Sequence, residues 1–396
     1  MTWDHPRGVG CLLAAGEVWR RVRPDVEVTW QTRSLQAFAD FPLEELVARY
    51  DVVVIDHPHV PHAHDHGLLL PLDGRGHDAR LAALAARSVG ASYPSYEHGG
   101  HQYGLPVDAA AQVAAYRHDL LPRPPRTWEE CLELAADGRV LWPAKPVDAI
   151  SSFLTLAANQ GHPVAAGPDR FVAPEAGLAV LDQLHRLADS VPPACLSENP
   201  IETAERLSTS DTWAYAPLLF GYTNYSRSGF RPRPLTYTDI PEGPGGVAGS
   251  CLGGAGIAVS ARTAHPDEAA EYALWLASDS VQRGSYFAGG GQPANAAAWE
   301  DEAVNADCRG FFRNTRRTLE QSWLRPRYAG WLAVQDAAGT AINAALRRRI
   351  DDDECLRRME RSYARSLEAA TDTDTDADAD TGADTGAATD AGPTEG

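Results

Sequence analysis

At 396 residues the chain exceeds what one ordinary core holds, so two lobes are expected. It is 44% hydrophobic and 22% charged, a globular composition, and its longest apolar runs (DVVVIDH, LLLPL) fall far short of the ~20 residues of a membrane span. A formal net charge of −19 argues against nucleic acid or an anionic membrane as partner.

In chain order, residues 1–7 read as a short strand and a loop. Residues 8–23 carry Leu12, Ala15, Val18 and Trp19 at helical spacing. Residues 26–30 alternate like a strand, and 43–49 read as a helix. Asp51–Ile55 is an apolar run ending at Asp56-His57-Pro58, as a strand buried on both faces would. A helix is expected over 79–87, an extended segment over 103–108, where Pro106 excludes helix, and a strand over 111–116. Thr127-Trp-Glu-Glu130 carries a capping box and opens a helix. Strands at 140–142 and 212–220 alternate with helices at 150–159, 175–188 and 266–278, residues 253–260 are Gly-rich and then apolar, and the pattern turns mostly helical from Glu300 to Ala370. Such alternation predicts an α/β fold. The Thr/Asp/Ala/Gly run from Thr371 holds eight acidic residues and nothing apolar larger than Ala, and is expected to be disordered.

Asp4, His5, Pro6 and Arg7 stand where the apolar stretch of an export signal would begin. The chain therefore reads as cytoplasmic, with extracellular the alternative if the start is misassigned. The six cysteines are scattered, with no C-x-x-C, and read as reduced thiols. Nucleotide-binding glycine motifs, H-E-x-x-H and G-x-S-x-G do not occur.

The stretch GGAGIAVSARTAHPDEAAEYALWLASDSVQRGSYFAGGGQPANAAAW, residues 253–299, resembles the late segment of extracellular solute-binding proteins of ABC importers, carbohydrate-type class. LPVDAAAQVAAY resembles that family's strand crossing between lobes, WAYAPLLFGYTNYS its second-lobe segment, and WLRPRYAGWLAVQDAAGTAINAAL its C-terminal helices. The resemblance implies a type II periplasmic-binding-protein-like fold, two α/β lobes around a ligand cleft that closes on a hinge. It implies lobe 1 from 1–108 plus 250–299, lobe 2 from 109–249, and helices of 300–370 packing on the lobes. It also implies a small-molecule ligand, an ABC permease as partner if the protein is exported, and no cofactor.

The tripeptide Asp-His-Pro occurs twice, as Asp4-His5-Pro6 and Asp56-His57-Pro58, each after an expected strand. A carboxylate beside an imidazole sets its tautomer and raises its pKa, as a general acid or base requires. Asp4, His5, Asp56 and His57 are thus candidate catalytic residues of an enzyme on this scaffold acting on a small-molecule or acyl substrate. The structural alternative is that the aspartates cap helices and the histidines pack in turns. Arg7 could clamp a carboxylate or phosphate. Asp108 is on the crossing strand, where the resemblance implies an acidic residue accepting hydroxyl hydrogen bonds; the alternative is a helix or turn cap. Lys145, the only lysine among 35 Lys+Arg, and the aromatic residues Trp142, Tyr222 and Tyr225 are further ligand candidates, with Asn224 and Gln292. HPHVPHAHDH invites a metal reading, but a solvated loop is favoured and no metal is expected. Cys251 is a nucleophile or a small buried residue. His5, Arg7, Asp56 and His57 are expected to meet at the cleft, faced by Lys145 or Tyr222. The leading function is binding of a polar or anionic small molecule, a sugar or carboxylate, between the lobes.

Overall fold

The computed structural model of the protein describes residues 1–34 and 42–381, with side chains up to Glu368. Its frame is a five-stranded sheet in the order β3 (Val52–Ile55), β9 (Leu252–Val259), β6 (Gly104–Tyr116) and β7 (Tyr215–Phe220), with β8 (Thr236–Thr238) also on β6, while β4 (Glu97–His98) and β5 (His101–Gln102) pair apart from it. β6 is the element both halves share. Its first part pairs antiparallel with β9, from Gly104 opposite Ala258 to Ala111 opposite Leu252. Its last part pairs with β7, from Gln112 opposite Phe220 to Tyr116 opposite Tyr215, and with β8. The segments 103–108 and 111–116 are therefore one strand rather than two. Small apolar residues from Val107 to Ala115 let it stay buried along nearly its whole length.

Each half has its own apolar core. Trp19, Val54, Leu105, Ile257 and Tyr272 gather on one face of the β3–β9 region, and Val53, Ile55, Leu43 and Tyr96 on the other. Val54 and its neighbours Val53 and Ile55 thus separate as the two-residue strand period dictates. The larger core holds Trp142, Phe153, Tyr215, Tyr237, Phe312 and Trp331. Fully burying a side chain of this kind is worth about 1.5–3 kcal/mol. The helices Pro146–Asn159 and Trp331–Leu346 pack in this second core, where a Cβ on Gly339 would run into the Pro146 carbonyl. Only glycine allows that approach.

Several elements differ from expectation. Residues 26–30 form no strand. Val26, Val28 and Trp30 pack against the first core while the pairing falls later, between β1 (Thr2–Trp3) and β2 (Thr32–Arg33), in parallel. The alternation recorded one buried face without a backbone partner. Residues 140–142 make only an isolated bridge, Val140 to Tyr215. The histidine tract is helical rather than a solvated loop: a 3-10 turn at His57–His59 runs into the helix Val60–Asp65, with Pro58 and Pro61 in first-turn positions where a missing N–H costs nothing. The last helix runs Asp352–Thr381, into the segment expected to be disordered. Extending a helix already nucleated by packing is far easier than starting one. Residues 382–396 of that expectation lie outside the described residues. Among the described residues no helix is long and apolar enough to cross a membrane.

Candidate functional site

Three strand ends converge beside β6. After β1, His5 is extended (φ −161°, ψ 150°) and its Nδ1 accepts the Arg7 N–H at 3.1 Å, starting the turn Pro6–Gly10. That turn buries Arg7. Its Nε donates to Asp108 Oδ2 at 2.7 Å, its Nη2 to Oδ1 at 2.6 Å, and its Nη1 to the Gly221 carbonyl at 2.8 Å. Asp108 stands at an irregularity of β6 between Pro106 and Asp108, and Gly221 follows β7. One guanidinium therefore ties the end of β1, the shared strand and the end of β7. It also lies over the Tyr222 ring, 4.3 Å from its centroid. His5 meets the same ring edge-on at 5.0 Å and approaches Phe230 at 6.3 Å.

After β3, Asp56 accepts the His57 N–H at 2.8 Å and both of its carboxylate oxygens take Arg325 Nη2, at 2.8 and 2.7 Å. Arg325 Nη1 reaches Gln335 at 3.1 Å. His57 is buried. Its Nδ1 is 3.2 Å from Asp56 Oδ1, within ion-pair distance but not aligned as a hydrogen bond, and its Nε2 has no partner among the described residues. Its ring stands edge-on to Tyr96 at 6.3 Å.

Burial alone would lower Arg7, but Asp108 beside it more than reverses this, so the guanidinium stays charged. Burial raises the Asp108 carboxyl, and Arg7 pulls it back only in part. At Asp56, burial is outweighed by Arg325 and His57, and the carboxyl lies well below the ordinary range. Both histidines go the other way. Burial and then Arg325 bring His57 down to about 4, and burial with Arg7 and Arg231 brings His5 to about 4. Each is neutral near pH 7, too weak a base for the proton-transfer role expected of it.

The two Asp-His-Pro copies are thus unlike. Asp56 and His57 are a pair, but Asp4 is exposed and the Nδ1 of His5 goes to the Arg7 backbone. His5, Arg7, Asp108 and Tyr222 come together; Asp56, His57 and Arg325 form the second group, close enough for Asp56 to raise Asp108. Arg7 is not an open clamp, since Asp108 and Gly221 already engage it. Trp142 lines nothing open: it is fully buried and donates to Ser152 Oγ at 3.0 Å. Tyr225 points into the second core, its hydroxyl toward Glu205 at 3.2 Å and the Ile201 carbonyl at 3.4 Å. Asn224 Nδ2 donates to Gly290 O at 3.0 Å. Gln292 accepts the Thr223 N–H at 3.0 Å and donates to Ala109 O at 2.9 Å, so it splints the β7 turn to β6. Lys145 is half-buried at the start of the helix Pro146–Asn159. Cys251 is a buried thiol, pushed up to about 11 by burial, which removes its nucleophilic reading. Among the described residues no group of three or more His, Cys, Asp or Glu is arranged to hold a metal ion. Sequence reasoning missed Arg325 and Asp148, a buried acid in the first turn of the helix Pro146–Asn159. Arg325 has no local signal; Asp148 was legible only as a first-turn acid.

Two apolar cores sharing one long strand, with charged strand ends meeting beside it, define the two-lobed solute-binding class of α/β protein. Residues 44–309 match the family model described as bacterial extracellular solute-binding protein, and the chain belongs to that family. Among solved structures it is similar to maltose-bound MalE3 of T. maritima (20% identity, 90% of this chain and 95% of that one, TM-score 0.77). It is also similar to the GacH receptor of Streptomyces glaucescens (17%, 93% and 97%, 0.77). A third is an ABC transporter solute-binding protein of Agrobacterium radiobacter in complex with ribitol (18%, 89% and 96%, 0.75). These likenesses establish the type II periplasmic-binding-protein-like fold.

Proposed function

We propose that the protein captures a neutral polyhydroxylated solute, a sugar or polyol, between its lobes. One observation carries the choice of a neutral ligand. The arginines bordering the site are already neutralised: Arg7 by Asp108, Arg325 by Asp56, and Arg231 by Glu205. An anionic ligand would have to displace the buried Asp108 carboxylate from Arg7, or the partly exposed Asp56 and Glu205 carboxylates from Arg325 and Arg231, whereas a hydroxyl can accept and donate beside the pairs without breaking them. The similar proteins named above were solved with maltose, acarbose and ribitol, which fits this reading. An ABC permease is the partner that fits it. The enzyme alternative has lost its support, because only one Asp-His pair forms and both imidazoles are neutral and weakly basic. Isothermal titration calorimetry with maltose, ribitol and D-mannitol, against citrate and succinate, tests the proposal. Binding of a polyol but not of the di- and tricarboxylates is expected, and tight binding of a carboxylate in preference would overturn it.

A further inference from the structure

The helix Pro146–Asn159 lies along β6 through one face. Ser152 Oγ accepts from Gln112 Nε2 at 3.1 Å, and Thr155 Oγ1 donates to Gln112 Oε1 at 2.7 Å. Asp148 is one turn before Ser152 and so lies on the same face. It is 4% exposed, and its Oδ2 has no hydrogen-bond partner among the described residues. A buried carboxyl oxygen left open costs stability unless a ligand or water completes it. The groups acting on it are Lys145 on its own helix and Glu202 on the helix Pro200–Thr209. Its charge also reaches Tyr222, the ring that covers Arg7: burial raises that phenol first, and Asp108 and Asp148 add to it. Glu198, whose carbonyl accepts the Lys145 N–H, is itself paired with Arg206. The open oxygen therefore belongs to the same neighbourhood as the Arg7–Asp108 pair.

We propose that Asp148 is a specificity-determining ligand contact that hydrogen-bonds a hydroxyl of the captured solute, a role that rests on the solute reading above. Burial holds its carboxyl well above the ordinary range, and Lys145 opposes this only in part, so the neutral form is favoured. A neutral carboxyl is both donor and acceptor, as a hydroxyl is, and the pair can satisfy each other without bringing charge into the site. An anionic solute gains far less from such a group.

The test uses the full chain as wild type, Asp148→Asn and Asp148→Ala, titrated calorimetrically at pH 7 with maltose, ribitol, D-mannitol and D-tagatose. Thermal unfolding without ligand is followed in parallel. For the polyol that the wild type binds best, Asp148→Ala is expected to weaken affinity at least 10-fold. Asp148→Asn, which keeps a donor and an acceptor, is expected to stay within about 3-fold. Both variants should melt no lower than the wild type, because each removes a strained buried acid; this separates loss of a contact from loss of the fold. Unchanged affinity in Asp148→Ala overturns the assignment alone. Equal losses in Asn and Ala overturn the neutral-acid role. If no polyol binds the wild type, the solute reading falls and this assignment with it.

Discussion

Removing the Asp108 carboxylate is the most direct test of how the lobes are joined. In Asp108→Ala the Arg7 guanidinium keeps Gly221 O but loses two bonds of 2.7 and 2.6 Å. Both side chains are at most 5% exposed, so solvent does not replace the lost partner. Breaking a buried ion pair by deleting one member costs about 3–5 kcal/mol, mostly the desolvation of the charge left behind. For a lobe-sized unit, at roughly 2–4 °C per kcal/mol, this is on the order of 10 °C in melting temperature. Urea unfolding followed by circular dichroism gives the free energy. The double variant Arg7→Met/Asp108→Leu should recover at least half of the loss, because it removes the stranded charge as well. A cost below about 1 kcal/mol for Asp108→Ala would refute the reasoning, since it would place the pair in water.

Acid should destabilise the protein through His57. Its folded pKa, about 4, lies below the ordinary 6.5, so the unfolded chain takes up the proton first and stability falls as pH drops through this window. Between pH 7 and 4.5 this is worth about 2–3 kcal/mol, and His57→Asn should lose that much less over the same range in urea titrations. Gly254→Ala should cost about 1–3 kcal/mol by strain, because φ is +107° and a Cβ would meet the Asp108 carbonyl; a melting temperature equal to wild type would show that β6 can yield there. Gln292→Ala strands the Thr223 N–H and the Ala109 carbonyl and should cost about 2 kcal/mol or more, read from the same unfolding curves.

The frame was legible because its signals are local. The run at 52–55 is apolar and short, the β6 residues are small and apolar, and Thr127 accepts the Glu130 N–H as an N-cap should, although the reciprocal Glu130 bond goes to Arg126 N. The site was half legible. Arg7 was named from a strand end, which is where crevices open in α/β sheets, Asp108 from the crossing strand, and Tyr222 as an aromatic residue in a polar segment. That Arg7 faces Asp108 and not a ligand could not be read, because the two lie 101 residues apart. Arg325 is farther still from Asp56, 269 residues, and one arginine among many carries no mark of burial. Trp142 and Tyr225 misled because aromatic residues beside polar loops are equally at home in a core, where the Trp142 N–H found Ser152 and the Tyr225 hydroxyl found Glu205.

The repeated Asp-His-Pro shows why a motif needs its cap assigned before its chemistry is read. In both copies the chain leaves a strand and enters a helical turn through a proline. In the second copy the turn begins at His57, so Asp56 is the cap and its side chain takes the His57 N–H. In the first copy the turn begins one residue later, at Pro6, so His5 is the cap and its imidazole takes the Arg7 N–H. That one-residue shift changes which side chain serves the backbone. It leaves Asp4 outside in water and turns the next residue, Arg7, inward onto Asp108. In the second copy the shift is absent, the acid stays partly covered, and the arginine that neutralises it comes from a distant segment, as Arg325. Two identical tripeptides thus reach a similar outcome, an arginine–carboxylate pair at a strand end, fully buried in the first copy and partly buried in the second, with the acid supplied locally in one and the arginine in the other. Neither arrangement leaves an imidazole poised to carry protons, and both leave the site with balanced charge, which is the condition a neutral solute requires.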